Sequence, residues 1–190
     1  MNIFILDNDV KLSAKYHCNK HVVKMILESG QLLCTAHWLS MMSNDLTPKQ
    51  KKLEQQKLQQ ELSVQAQPPW KMTHSNHPCA IWTRQTVGNY MYVLSLMREL
   101  LNEYTRRYHK IHKAETTWAW LSENKPKSYI QNDYRSMTPH VICMQDITCK
   151  IENDAVTSYR RYYQKHKLTI AKWEPHAKMP DWFLREEIAS

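Results

Sequence analysis

Glycine is nearly missing from this chain: two in 190 residues, Gly30 and Gly88, both inside stretches of helical spacing. A β-sandwich or doubly wound fold needs glycine at many turns, and a phosphate-binding loop needs several close together. Their scarcity excludes both and predicts a mainly α fold. No run approaches the ~18 apolar residues that would cross a bilayer. The opening "MNIFILDND" has neither the basic lead nor the apolar length of a signal peptide. The five cysteines are odd in number, and no C-x2-C pair occurs among them. Without an export signal, they predict reduced thiols in a cytoplasm.

What is present supports a folded, basic protein. At 42% hydrophobic, the chain builds a core, and its length suits one compact helical domain over 1–190. Its net charge of +8 favours polyanions: DNA, RNA or an anionic membrane surface.

Residues 3 to 6, "IFIL", read as a short buried strand or extended segment. Ser13 is the expected N-cap of a first long helix reaching about Leu39. Residues 43 to 67 are a polar Gln/Lys-rich insertion without an aromatic residue, expected as a protruding helix or loop starting at Thr47 and Pro48. Pro78 opens a further helix, capped by His77 or Asn76. From Ala80 to Tyr108 apolar residues recur at helical spacing, predicting a core helix of roughly eight turns. "ETTWAWLSEN" reads as a short helix, residues 125 to 147 as irregular, and Ile151 to Lys167 as the last helix. The two tryptophans of "WEPHAKMPDWF" should pack back on the domain.

Three constellations bear chemistry. In "KYHCNKHVVKMILE", His17, His21, Lys24 and Glu28 follow one another at spacings of four, three and four, which would line them along one helical stripe. A carboxylate among imidazoles suits acid–base chemistry near neutral pH, although a charged stripe is most often a solvated face. "HCNKH" and "HSNHPC" bring His17, Cys18, His21, His74, His77 and Cys79 as metal-ligand types. None of the recurrent zinc spacings fits them, so neither a metal nor another cofactor is expected. "YTRRYHKIHK" and "SYRRYYQKHK" interleave tyrosines with bases. Arg106, Arg107, Arg160 and Arg161 would contact phosphates while tyrosines stack on bases; the structural alternative is tyrosines in the core and bases in solvent.

"MNIFILD", "HCNKHVVKMILE", "NHPCAIW", "YRRYY" and "PDWF" together resemble a group of small uncharacterised phage and bacterial proteins. A wider similarity is to the pyrimidine-dimer DNA glycosylases of phage endonuclease V type. That resemblance implies a compact, basic, all-α enzyme whose N-terminal amine attacks the sugar C1′, with a His and, seven residues later, a catalytic Glu on the first long helix. His21 and Glu28 stand at that separation. Asn2 is too large to permit removal of Met1, so the nucleophile falls to the Met1 amine. The arginines that flank the family's glutamate are absent, since Leu27 precedes Glu28 and Gln31 lies three beyond.

The resemblance therefore implies a DNA glycosylase, an abasic-site lyase or both, with Met1, Glu28 and His21 catalytic. His17, Lys24 and the four arginines would hold DNA, in the host cytoplasm if the gene is a phage's. The alternative is a basic helical protein without chemistry that binds nucleic acid, a nucleotide or a host protein.

Overall fold

The computed structural model describes residues 1–126 and 136–183; part of the irregular stretch expected at 125 to 147 thus lies outside the described residues. Within them the chain is helical and without strands: α1 (Val10–Tyr16), α2 (Asn19–Ser40), α3 (Pro48–Glu61), α4 (Pro78–Gln85), α5 (Val87–Tyr108), α6 (Glu115–Glu123) and α7 (Ala155–His166). No helix among the described residues is long and apolar enough to cross a membrane.

The long helices α2 and α5 pack on each other, with α1 against α5 and α4 against both. Their apolar faces enclose Ile26, Leu33, Val93, Met97 and Leu100, all buried. Ile3 to Leu6 enter this core outside any helix or strand and are buried at every position. Gly30 on α2 permits one close approach: a Cβ there would lie 2.3 Å from the Trp70 ring.

Two expected helices are each broken into a pair. The first begins earlier than Ser13, because Asp9 takes the N-cap and accepts from Leu12 N–H at 2.8 Å. Ser13 instead sits buried in α1, where its Oγ accepts from Leu6 N–H at 3.1 Å and secures the N-terminal segment. The helix then stops, with His17 extended at φ −60°, ψ 133°, and restarts at Asn19. The middle helix breaks at Thr86, extended at φ −139°, ψ 160°, whose side chain caps α5 by accepting from Asn89 N–H. In both cases the apolar pattern runs across the corner, since both halves face the same core.

The insertion forms α3 with the expected Thr47 cap and Pro48 start, and Gln50 completes a capping box. It is mostly exposed but tied back. Gln55 is buried, and with its amide oxygen turned inward it accepts from Met72 N–H at 2.8 Å. Trp120 Nε1 donates to Gln65 O at 2.8 Å. The last helix starts four residues later than expected, where Asp154 accepts from Thr157 N–H. Trp173 and Trp182 do pack back, the former fully buried.

Candidate active site at the start of the chain

The N-terminal segment ends its path against α2. Asn2 N–H donates to Glu28 Oε2 at 2.8 Å, across 26 residues of sequence. Lys24 Nζ stands 3.4 Å from the other oxygen, one helical turn back; its side chain is 61% exposed against 12% for Glu28. Glu28 is therefore a half-sheltered carboxylate at the edge of the core, held beside the first peptide of the chain.

The Asn2 side chain knots four segments together. Its Nδ2 donates to Cys143 O at 2.8 Å. Its Oδ1 accepts from Ile3 N–H and from the Tyr159 hydroxyl, each at 2.8 Å, and lies 3.7 Å from Cys79 Sγ. Tyr159 on α7 also accepts from Cys143 N–H at 3.0 Å, and burial pushes its phenol well above the usual range.

His77 closes the corner as the N-cap of α4. Its Nδ1 accepts from Cys79 N–H at 3.2 Å, and its Nε2 lies 3.7 Å from Cys143 Sγ. Partial burial lowers the His77 pKa first; the Met1 amine and His74 lower it further, while Glu28 opposes them. The amine, the imidazole and the carboxylate thus share one electrostatic neighbourhood. Beside them opens a cavity of about 380 Å³, lined by Met1, His77, Cys143, Gln145, Lys150 and Tyr162 among others.

The other expected site residues are distributed differently. His17 is not on α2 at all. It caps the end of α1, fully buried, with Nδ1 donating to Ser13 O at 2.7 Å. His21 faces inward, stacks on Phe4 at 4.8 Å and bonds the Tyr163 hydroxyl through Nδ1 at 2.5 Å. Burial lowers His17 to about 4 and His21 to about 3, so both are neutral at pH 7. Neutral and enclosed, they are core histidines that offer no charge to a phosphate. Of the four-residue stripe, only Lys24 and Glu28 reach the surface.

The arginines divide in the same way. Arg107 has a side chain 0% exposed, and it donates to Lys15 O, His17 O and Asn19 Oδ1 while pairing with Glu103. It holds the α1–α2 corner, which corrects its assignment as a DNA contact. Arg106 is half exposed and forks onto Glu103 at 2.7 and 3.0 Å. Arg160 donates to Leu6 O and Asp7 Oδ2, each at 2.8 Å, beneath the Trp182 ring. Arg161 is exposed.

A cationic group of which the sequence marks only Lys24 lies near Glu28 instead. Lys20, Lys24 and Lys167 all depress the His21 pKa, and Lys167, lowered mainly by burial, is lowered further by Lys24 while Glu28 opposes. Lys167 ends α7, and nothing in its local sequence marks it as a neighbour of α2. Asn2, Tyr159 and Cys143 were missed for the same reason; the "NHPC" motif was the one local signal that pointed here. Comparison with protein-family models, with curated proteins and with solved structures returned no match.

Proposed function

We propose that this protein processes DNA at damaged or abasic nucleotides, as a glycosylase, an abasic-site lyase or both, with the Met1 α-amine as nucleophile and Glu28 as its acid–base partner. The observation that carries this reading is the hydrogen bond from Asn2 N–H to Glu28 Oε2, which brings the start of the chain to the carboxylate. An α-amine in its neutral form is a nucleophile able to add to C1′ of a sugar aldehyde.

Loss of water after addition leaves an iminium, which acidifies the C2′ proton. Glu28 Oε1, the oxygen not held by Asn2, takes that proton, and β-elimination expels the 3′ phosphate. The carboxylate also balances the positive charge on the iminium. Lys20, Lys24 and Lys167 supply phosphate contacts beside the site. The cavity lined by Met1 and Tyr162 offers room for a displaced base or sugar.

The reading requires a free amine on Met1, so intact mass and N-terminal sequencing come first. Borohydride reduction on an abasic duplex should then trap a covalent adduct, and acetylation of the α-amine should prevent it. Protein with a free Met1 amine that binds the duplex yet gives neither adduct nor nick would sink the enzyme. The chain would then be a basic helical nucleic-acid binder, with Glu28 as the anchor of its first peptide.

A further inference from the structure

We infer that His77, Cys79 and Cys143 bind one zinc-class divalent ion through the imidazole Nε2 and two thiolates, with the fourth position open to the cavity beside Met1. The three ligand atoms lie within 4.8 Å of one another. His77 Nε2 and Cys143 Sγ are 3.7 Å apart. A tetrahedral site with bonds of about 2.0 Å to nitrogen and 2.3 Å to sulfur has an N–S edge of about 3.6 Å. The His77–Cys143 pair is thus already spaced as one edge of a coordination shell, with the Cys79 thiol close enough to complete it.

They come from two separate parts of the chain. His77 and Cys79 belong to the capped start of α4, and Cys143 arrives 66 residues after His77. Local spacing could not supply this third ligand, which is why the sequence alone predicts no metal. Cys79 is fully buried and closes the inner side, while Cys143 and His77 are half-buried and face the cavity. Three protein ligands with an open position are the pattern of a zinc ion that keeps an exchangeable water.

The protons balance simply. Binding converts two thiols to thiolates and releases two protons, so the shell gains no net charge. Burial and the neighbouring Cys143 push the Cys79 thiol up to about 12, and a coordinated dication offsets that cost. The His77 proton moves from Nε2 to Nδ1, and the 3.2 Å capping bond from Cys79 N–H is given up. The ion would staple the Cys143 segment to α4, next to the Asn2 side chain that touches both cysteines.

A second grouping, Asp146, Cys149 and His166, differs in a decisive way. Asp146 already takes Lys165 Nζ at 2.8 Å and His166 Nε2 at 2.7 Å. An ammonium group occupies the place an ion would need.

The test uses the full chain, reduced and stripped with chelator, titrated with Co(II) and then Zn(II) without DNA. One Co(II) per chain should bind with a thiolate-to-cobalt charge-transfer band and release of about two protons per ion, and zinc should then displace it without further proton release. Cys143→Ser should lose the band and at least tenfold in affinity, while its circular dichroism stays helical. Asp146→Asn should change neither. Absence of the band in wild-type protein, its survival in Cys143→Ser, or a Cys79–Cys143 disulfide in freshly isolated protein would overturn the site. Cobalt binding by a protein inactive on abasic DNA leaves this site standing and removes only the lyase; activity without cobalt binding does the reverse.

Discussion

The guanidinium of Arg107 donates to the main-chain carbonyl of His17 at 2.8 Å, across 90 residues. It also takes Lys15 O, so one buried side chain on α5 satisfies carbonyls that the end of α1 leaves without helical partners. The α1–α2 corner is stable because α5 supplies this group, and the corner in turn decides which residues of α2 meet the surface.

Removing that group should be costly. Arg107→Ala leaves two carbonyls and Asn19 Oδ1 without this donor and leaves Glu103 with Arg106 alone, and should lower unfolding free energy by about 3 kcal/mol. Arg106→Ala, which removes a half-exposed pair with the same glutamate, should cost under about 1 kcal/mol. Equilibrium denaturation of the two variants measures the contrast, and equal midpoints would refute the structural role.

Acid should destabilise the protein before its carboxylates titrate. His17, His21 and His37 are lowered by burial to about 4, 3 and 4, from 6.5 in the unfolded chain. The unfolded state binds their protons first, so stability is fully present above pH 6.5 and is lost as pH falls towards 4. Each histidine contributes a slope of up to about 1.4 kcal/mol per pH unit in that window. Denaturation midpoints at pH 7, 6 and 5 should fall steadily; a flat profile would show that these imidazoles are not held neutral.

Glu28→Gln separates chemistry from structure. The amide oxygen still accepts Asn2 N–H, and the exposed contact with Lys24 is worth little, so stability should change by less than about 1 kcal/mol. Strand cleavage at abasic sites should vanish, because an amide takes no proton from C2′ and carries no balancing charge. The borohydride-trapped adduct should persist, since addition precedes elimination. A variant that nicks like wild type removes Glu28 from the mechanism.

DNA binding should depend on the lysines around Glu28 more than on the arginine clusters. Affinity for duplex DNA should fall steeply with salt, and Lys20→Ala, Lys24→Ala and Lys167→Ala together should reduce the log–log slope by up to about 2.7. Arg106→Ala, already paired with Glu103, should reduce it by much less. Gel shifts across a salt series read both, and unchanged slopes in the triple variant would place the binding face elsewhere.

Much of the helical framework was legible because its signals are local. Apolar recurrence marks a helix face, Thr47 with Pro48 marks a start, and near-absence of glycine leaves few other architectures. The placement of Glu28 on the first long helix, close behind a short extended lead, was legible for the same reason. Contacts between distant segments carry no such mark. Ser13 has the right chemistry for a cap, yet its hydroxyl is used by Leu6 N–H, and Asp9 caps instead. His17 and His21 look like members of one polar stripe until a helix break and the Tyr163 hydroxyl turn them into core residues. Arg107 reads as a surface base until α1 and α2 close over it. Cys143 reads as an isolated thiol until packing sets it beside His77. Sequence periodicity determines which faces are apolar; only close packing decides which polar groups are trapped between those faces, because a buried donor or charge must find its partner wherever the fold brings one.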